Sequence, residues 1–275
     1  MELSPEQRAT LLSLAQSARA QLETELELGL NGLSAPPTPP RPTATPTRSP
    51  PQRAESTTRV ESLPPPPPAA IASLPQPDLG RVPAHERLQV LRDLQAEAAQ
   101  CTGCVLHEKR TKSVFARGSA DAELVFVGEG PGRDEDQQGL PFVGAAGLLL
   151  DKMIAAMGYG RDEVYICNVV KCRPPDNRTP RPEEMLACSR FLVPQLQAVR
   201  PKLIVALGRC AAQALGVAEA MGAWRGRWGS FQGVEVMPTY HPAYLLRSPE
   251  QKRTVWADLQ LVMARLGKSP PARRS

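Results

Sequence analysis

The stretch that decides the fold is GEGPGRDEDQQGLPFVGAAGLLL, residues 128–150. It follows an apolar, strand-like segment, ELVFV at residues 123–127, and leads into a helix-like segment that runs to Met157. A strand that ends in a glycine-rich turn and continues into a helix places backbone N–H groups at one edge of a sheet, where α/β proteins bind ligands. A lone Gly-x-Gly also occurs in ordinary tight turns. The acidic and aromatic residues that accompany these glycines favour a ligand site.

Strand and helix patterns alternate on both sides of this stretch. The predicted strands are 123–127, 164–169, 202–207 and 233–238. The predicted helices are one from about residue 84 to the first cysteine pair, then 144–157, 182–199, 209–216, 242–247 and 250–266. Alternation of this kind predicts a mostly parallel sheet covered by helices on both faces. Residues 84–268 are long enough for one core and form the predicted folded domain.

The residues before this domain differ from it in composition. Ser-Pro-Glu-Gln at residues 4–7 has the pattern of a helix start and leucines recur after it, so an amphipathic helix is predicted within residues 1–33. This helix would dock on the folded domain, self-associate or bind a protein partner, and the sequence leaves the three roles open. Residues 34–83 hold 16 of the 30 prolines, which predicts a disordered linker. A short disordered tail is predicted at residues 269–275.

The overall composition limits the class of protein. No uninterrupted apolar run is long enough to cross a membrane and no signal-peptide pattern is present, so we expect a soluble, cytoplasmic protein without membrane association. The formal net charge of +5 and the pI near 9.0 favour a polyanionic partner. Six cysteines in a protein of this kind indicate a metal site or free thiols before disulfides.

Four of the six cysteines have the arrangement of a ligand set: Cys101, Cys104, Cys172 and Cys188. The first two form a C-x2-C pair that would hold one corner of a metal ion or cluster, and the other two, separated by fifteen residues, would close the other corner. The second pair is not C-x2-C, so a zinc ribbon fits poorly, and the residues alone leave zinc and iron–sulfur open. Cys167 inside a strand and Cys210 at a helix start are predicted to be small buried apolar side chains.

Polar side chains follow the second predicted strand. Asn168 lies near its carboxyl edge, where an amide can read a flat ligand with one acceptor and two donors, although asparagines at strand ends also cap turns. The next loop carries Arg173, Asn177 and Arg178 among prolines. Arginines on a proline-stiffened loop suit phosphate contacts, and solvated loop charge is the alternative.

A histidine follows the last predicted strand. His241 lies at a strand-to-helix turn with proline at the first helical position. An imidazole there can donate a hydrogen bond to a developing anion or simply cap the helix. Arg247 is a further candidate for phosphate contact. The segment WRGRW, residues 224–228, is either core plus surface charge or a DNA-facing loop.

Taken together, these residues resemble one family, the iron–sulfur (family 4) uracil-DNA glycosylases. The matching segments are Cys101-x2-Cys104, GEGPG at 128–132, GLPFVGAAGLLL at 139–150, NVVKCRPPDNR at 168–178, Cys188 and HPAYLLR at 241–247. The resemblance covers about residues 95–266. It implies a three-layer α/β/α sandwich with a central parallel four-stranded sheet. It also implies a [4Fe–4S] cluster, held by the four cysteines of the ligand set, whose role is structural.

The resemblance further implies a reaction and roles for the site residues. Such enzymes are monofunctional glycosylases that hydrolyse the N-glycosidic bond of deoxyuridine in DNA and leave an abasic site, which initiates base-excision repair. Phe142 is expected to stack on uracil, Asn168 to read its polar edge, and His241 to hydrogen-bond the O2 oxygen as negative charge accumulates there. Glu129 and Glu135 are expected to support the pocket.

Position 130 departs from the uracil glycosylases that carry an aspartate there to position water. Gly130 has no side chain, which puts general-base catalysis by a carboxylate of this motif in doubt and makes Asn177 the candidate for positioning water. A related family attaches uracil covalently through a histidine in the loop after the NVVK-like motif. No histidine lies between His107 and His241, which argues against that chemistry. The expected DNA contacts are arginines: Arg173, Arg178 and Arg247.

Two functions of other classes stay open at this point. A metal-dependent nuclease or phosphoesterase would use Asp134, Glu135 and Asp136 around Mg²⁺, although three adjacent carboxylates on one turn point in different directions. A non-catalytic DNA- or polymerase-associated binding protein would keep its effect without His241 and Asn168. The glycosylase interpretation predicts a monomer that acts on uracil in single- or double-stranded DNA.

Overall fold

The computed structural model describes residue 83, residues 85–218 and residues 224–269. The predicted N-terminal helix of residues 1–33, the linker of residues 34–83 apart from its last residue, and the tail beyond residue 269 lie outside the described residues. Those boundaries therefore stay predictions. No helix in the described part of the chain is long and apolar enough to span a membrane.

The secondary structure alternates as the sequence predicts. The strands are β1 (Ala116–Gly118), β2 (Leu124–Gly128), β3 (Tyr165–Asn168), β4 (Leu203–Leu207), β5 (Gly229–Phe231) and β6 (Val234–Thr239). The helices are α1 (Arg87–Gln100), α2 (Arg133–Gln138), α3 (Ala145–Ala156), α4 (Pro182–Val199), α5 (Arg209–Ala214), α6 (Pro242–Arg247) and α7 (Lys252–Arg265). Short 3-10 turns occur at Val105–Glu108, Pro175–Asn177 and Pro249–Gln251.

The strands form one sheet in the order β1-β3-β2-β4-β6-β5. Its four central strands are parallel, which confirms the predicted parallel four-stranded sheet. The structure adds an antiparallel strand at each edge, β1 against β3 and β5 against β6. The sequence did not predict these two strands because each has only three residues and no clear apolar alternation. It also missed the polar helix α2, which has no apolar periodicity.

Helices cover both faces of the sheet, which confirms the three-layer sandwich. Val125 and Val127 of β2 pack in a core cluster that contains residues of α1, α4 and α5. Leu124 and Phe126, which alternate with them, pack in a second cluster with residues of α3, α6 and α7. All five residues of β2 are buried because both faces of a parallel sheet are covered, and this is why the segment is a continuous apolar run.

Strand β2 lies at the point where the strand order changes direction. The chain continues from β2 to β3 on one side of it, and β4 pairs with β2 on the other side. In open α/β sheets, ligands bind in the crevice outside the carboxyl ends of the strands at such a switch point. Gly128 at the end of β2 is paired with Asn168 at the end of β3. Strand β6 ends at Thr239, two residues before His241.

Candidate active site

A cleft of about 410 Å³ opens at the carboxyl edge of the sheet. Nine of the ten non-cysteine residues predicted for the site line it: Glu129, Gly130, Glu135, Phe142, Asn168, Asn177, Arg178, His241 and Arg247. The tenth, Arg173, does not line the cleft and instead contacts Asn177. Four separate segments, at residues 129–146, 168, 174–179 and 241–247, meet there. The fold therefore brings together residues that are far apart in the sequence.

Phe142 is held in an unusual backbone conformation at the cleft. Its φ is 56°, in the left-handed region that costs a non-glycine residue about 1 kcal/mol or more. A Cβ at Gly147 would overlap the carbonyl of Phe142, and a Cβ at Gly128 would lie 2.5 Å from its ring. The two glycines therefore leave room for the backbone and ring of this residue. The Phe142 ring stacks against His241, with ring centroids 5.6 Å apart and planes inclined by 28°.

Glu135 fixes the two loops that border the cleft. Its Oε1 accepts hydrogen bonds from the backbone N–H groups of Val143 and Gly144, each at 2.9 Å. Its Oε2 accepts from the Gly132 N–H at 3.2 Å, so the carboxylate also closes the first turn of α2. The same carboxylate thus joins the glycine-rich turn to the loop of Phe142. This bonding agrees with a supporting role for Glu135.

Asn168 presents a polar group that the protein leaves unsatisfied. The residue is 2% exposed, and its side-chain Oδ1 is buried without a hydrogen-bond partner among the described residues. A buried acceptor of this kind destabilises a protein by about 1–3 kcal/mol, so such groups are explained by a ligand or by water. Because Asn168 lines the cleft, its amide is available to a ligand that carries hydrogen-bond donors and acceptors.

His241 is both the cap of α6 and a wall of the cleft. Its Nδ1 accepts a hydrogen bond from the Ala243 N–H at 3.1 Å. In the neutral ring the proton is therefore on Nε2, which can donate to a ligand. Burial, with a smaller effect of Arg247, lowers the pKa of His241 to about 4. The imidazole is neutral at pH 7, and the two readings of this residue from sequence, helix cap and hydrogen-bond donor, are compatible.

The glycine-rich turn carries one carboxyl group and one position without a side chain. Burial raises the pKa of the Glu129 carboxyl, and a hydrogen bond with Thr179 partly offsets this effect. A Cβ at Gly130 would lie 2.8 Å from Cγ2 of Val170 and 3.6 Å from Cδ of Pro174. The surroundings of position 130 therefore have no room for an aspartate without movement of Val170.

Asn177 lies at the exposed rim of the cleft. It and Asp176 both have positive φ, 52° and 55°, so the loop turns sharply there. The Oδ1 of Asn177 accepts a hydrogen bond from Nε of Arg173 at 2.7 Å. Arg173 thereby orients the side-chain amide of Asn177.

Two other arginines differ in how the protein engages them. Arg178 forms a two-pronged ion pair with Glu184, with Nη–Oε distances of 2.8 and 2.6 Å. The ion pair lowers the pKa of the Glu184 carboxyl, and Oε2 of Glu184 also accepts from the Arg181 N–H at the start of α4. Arg247 is exposed at the end of α6 and lines the cleft. Arg247 is the guanidinium group better placed to meet an incoming phosphate.

The acidic trio of residues 134–136 does not form a common site. Asp136 is buried and accepts hydrogen bonds from the backbone N–H groups of Thr111 and Lys112. Glu135 bonds the two loops described above, and Asp134 lies beside Arg133. Within residues 85–218 and 224–269, no group of three or more His, Cys, Asp or Glu side chains is close enough to hold a single metal ion. The nuclease hypothesis gains no support from this geometry.

The four cysteines of the predicted ligand set line a second pocket, which we call the cysteine pocket. None of them is in a disulfide. Three of the sulfur atoms accept hydrogen bonds: Cys101 from the Gly103 N–H, Cys188 from the Lys171 N–H and Cys172 from the Arg110 guanidinium, at 3.1–3.3 Å. Donors aimed at sulfur stabilise thiolates and are typical of iron–sulfur sites.

Burial raises the pKa of the Cys188 thiol to about 12. Burial likewise raises the pKa of the Cys104 and Cys172 thiols. A bound cation or cluster lowers a thiol pKa and forms the thiolates that serve as ligands. An iron–sulfur cluster also spreads its ligands further apart than a single ion does. The donor set of the cysteine pocket therefore fits a cluster. Cys167 and Cys210 are buried outside this set, as predicted.

Lys171 is the residue that sequence reasoning missed. It is 1% exposed, and its ammonium group donates to the backbone oxygen of Asn168 at 2.8 Å and to Oε1 of Gln195 at 2.6 Å. Gln195 in turn donates to the hydroxyl of Tyr165. Lys171 also lines the cysteine pocket, so it lies between that pocket and the cleft. The available signal was a charged residue inside the apolar run before Cys172.

Comparison with known proteins shows the family of this chain. Residues 115–260 match the sequence model of the family described as the uracil DNA glycosylase superfamily. The type-4 uracil-DNA glycosylase of Thermotoga maritima is 44% identical over 181 residues, which cover 64% of this chain and 94% of that protein. The type-4 enzyme of Archaeoglobus fulgidus is 44% identical over 67% of this chain and 97% of that protein. The type-4 enzyme of Saccharolobus solfataricus is 39% identical over 63% of this chain and 85% of that protein.

Proposed function

The chain belongs to the type-4 uracil-DNA glycosylases, and from this premise we propose how its cleft removes uracil from DNA. The enzyme is a hydrolase that cleaves the N-glycosidic bond of deoxyuridine in DNA, the first step of base-excision repair. One observation carries the proposal for the site. A stacking ring, an unpaired amide oxygen and a neutral imidazole with a fixed tautomer line the same cleft.

The chemistry begins with access to the base. The glycosidic bond of a stacked nucleotide is inaccessible, so the uracil nucleotide is flipped into the cleft or taken from a single strand, at a cost of a few kcal/mol. Phe142 stacks on the flipped uracil, and its ring already lies against His241 at the wall of the cleft. Asn168 hydrogen-bonds the polar edge of the base with the amide whose oxygen is otherwise unpaired.

Bond cleavage depends on stabilising the departing base. As the glycosidic bond breaks, negative charge accumulates on uracil and the sugar becomes oxocarbenium-like. Nε2–H of His241 donates to O2 of uracil, and one preorganised donor of this kind contributes about 3 kcal/mol to the transition state. The lowered pKa of His241 keeps the ring neutral. Nδ1 therefore stays an acceptor for the Ala243 N–H, and Nε2 carries the proton that it donates to uracil.

Water then attacks the sugar carbon. Gly130 offers no carboxylate, and a Cβ there would meet Val170, so another residue positions this water. We assign that role to Asn177, whose amide is held by Arg173 at the rim of the cleft. Glu129 has a raised pKa and a bond with Thr179, and its role is to shape and polarise this side of the cleft.

The cysteine pocket holds a [4Fe–4S] cluster in this proposal. Its ligands are Cys101, Cys104, Cys172 and Cys188, and the hydrogen bonds to their sulfur atoms support this assignment. When bound, the cluster would link the chain segments that carry these four cysteines, and it would take no part in breaking the glycosidic bond. Cys172 directly precedes the loop that carries Arg173 and Arg178. A cluster that holds Cys172 in place therefore also helps to order this loop.

DNA contacts are assigned to three arginines: Arg173, Arg178 and Arg247. Arg247 is exposed and contacts a phosphate directly, whereas Arg173 and Arg178 also hold their own loop through Asn177 and Glu184. The monomeric state, the cytoplasmic location and a protein partner for the N-terminal helix remain predictions from the sequence.

The test is an oligonucleotide with one uracil, incubated with the enzyme in the presence of a chelator. We expect free uracil and an alkali-labile site without strand cleavage. A product cut without alkali, and lost when chelator is added, would instead support a metal-dependent nuclease. Binding of the oligonucleotide without uracil release, unchanged in His241→Ala and Asn168→Asp, would support a non-catalytic binding protein. Colourless protein that contains zinc and no iron would overturn the cluster assignment.

A further inference from the structure

A strip of aromatic rings leads away from the mouth of the cleft. It consists of Tyr244, Tyr240 and Trp224, and we call it the aromatic strip. Tyr244 lines the cleft, and its ring centroid lies 4.9 Å from that of Tyr240. Tyr240 meets Trp224 edge to face at 5.8 Å. Neither Tyr240 nor Trp224 lines the cleft, so the strip starts at its edge and continues outside it.

The strip is half-exposed and fixed from behind. All three residues are only partly buried, and they pack against the two core clusters of the sheet. The guanidinium of Arg225 lies 5.3 Å from the centre of the Tyr240 ring. Asp258 holds Arg225 through bonds of 2.8 and 2.9 Å and also accepts from Thr239, the residue before Tyr240. The buried carboxylate of Asp258 therefore supports Tyr240 through Arg225, and the three rings remain partly accessible.

The charges around the strip suit a nucleic acid strand. Arg247 is exposed three residues after Tyr244 on the same helix and also lines the cleft. Arg227 is exposed three residues after Trp224 in the sequence. Aromatic rings interleaved with arginines are typical of surfaces that bind single-stranded nucleic acid, because every base has a face that stacks on a ring.

We propose that Tyr244, supported by Tyr240, is a stacking platform for the base next to the uracil in the same DNA strand. This inference rests on the proposed function of the cleft and adds a second nucleotide site to it. A base that loses its stacking neighbour when uracil is flipped out regains a stacking partner on Tyr244. Arg247 meets the phosphate between the two nucleotides.

The first test measures stacking directly. A single strand carries 2'-fluoro-deoxyuridine, whose glycosidic bond resists cleavage, with the fluorescent base 2-aminopurine on its 5' side in one oligonucleotide and its 3' side in another. 2-Aminopurine is quenched when stacked. At saturating protein, we expect Tyr244→Leu to give at least twofold higher fluorescence than wild type with one of the two oligonucleotides. Tyr244→Phe keeps the ring and is expected to match wild type.

Trp256→Leu is the matched control, because Trp256 is a half-exposed aromatic residue packed against the same core cluster but outside the cleft. It is expected to match wild type in this assay. Equal fluorescence for wild type and Tyr244→Leu with both oligonucleotides would overturn the inference. So would an equal increase in Trp256→Leu, which would indicate a general effect of core disruption.

The second test is kinetic and compares two substrates within each protein, so a lower yield of folded variant does not change the result. The base next to uracil is replaced by an abasic spacer on the side that the first test identifies. We expect the spacer to raise KM for wild type about tenfold, with kcat changed less than threefold. The same spacer should leave KM of Tyr244→Leu unchanged, because the stacking partner is already absent. A spacer effect of equal size in both proteins contradicts the inference, while uracil release by wild type still upholds the proposed function.

Discussion

The cleft and the cysteine pocket lie at the two ends of one short segment, Asn168 to Cys172, yet they are built for different occupants. In the cleft an amide oxygen is left unpaired, and the wall includes an imidazole whose Nδ1 is bonded to the backbone. In the cysteine pocket three of the four sulfur atoms already accept hydrogen bonds from the protein. The first arrangement suits a ligand that enters and leaves, and the second suits an occupant that stays. Substitutions that affect one region and not the other test this distinction.

The largest effect is expected at His241. His241→Ala removes the donor to uracil O2, and we expect kcat to fall about 100- to 1000-fold. The iron content of the purified protein should stay at the wild-type level, because His241 does not line the cysteine pocket. The measurements are single-turnover uracil release and the ratio of iron to protein. His241→Gln, which replaces the imidazole N–H with an amide N–H donor, is the conservative comparison and should lose less activity than His241→Ala.

The reverse pattern is expected for the cysteine pocket. Cys188→Ser removes a proposed ligand, and we expect loss of iron, loss of visible absorbance and a lower Tm. Cys210→Ser is the matched control. Cys210 is as buried as Cys188 and, like it, forms no disulfide, but it lies outside the cysteine pocket. It should keep its iron, although a buried hydroxyl also lowers Tm somewhat. Equal loss of iron in both variants would contradict the assignment of the ligand set.

Much of the fold was predictable because the central strands are continuous apolar runs and the helices are periodic. The short edge strands and α2 were not, since three residues or a wholly polar helix give no periodic signal. For the site, the resemblance to a known family indicated ligand contacts for Phe142, Asn168 and His241, whereas the residue types alone left turn or helix capping open for the last two. Their mutual arrangement did not follow from spacing, because it depends on the left-handed backbone at Phe142 and the close approach at Gly147.

Lys171 was unpredictable for a different reason. A lysine at the end of an apolar run is normally predicted to face solvent at the end of a strand. Here the ammonium group of Lys171 is buried and hydrogen-bonded to Asn168 and Gln195. A buried charge is tolerated only where it is hydrogen-bonded or paired. The sequence contains no local carboxylate to signal this, because the partners are a backbone oxygen and an amide 24 residues away.

Lys171 connects the two regions, so its substitution should affect both. Lys171→Met keeps the length of the side chain and removes the bond to the Asn168 carbonyl. We expect KM to rise several-fold, because the Asn168 backbone loses its support, and the iron content to fall partially. The measurements are steady-state kinetics and iron analysis on the same preparation. Lys202→Met, at an exposed lysine outside the cleft and the cysteine pocket, should change neither quantity.

The smallest effect is expected from pH, and it separates the cleft histidine from an ordinary one. The pKa of His241 is lowered to about 4 in the folded protein, while an unfolded histidine titrates near 6.5. As pH falls below about 6.5, the unfolded chain binds this proton first, so the free energy of unfolding decreases down to about pH 4. Above pH 6.5 both states are neutral and His241 adds no pH dependence.

The measurement is Tm between pH 7.5 and 5 for wild type and His241→Gln, which has no titratable group at this position. The Tm of wild type should fall further than that of the variant over this range, because the unfolded wild-type chain takes up a proton on His241 and the variant has no such group. Over the same range the wild-type kcat should show no inflection near pH 6.5, since the ring in the cleft stays neutral and Nε2 keeps its proton. A histidine that titrates normally would give parallel Tm slopes and a step in kcat, because protonation of Nδ1 would break its bond with the Ala243 N–H.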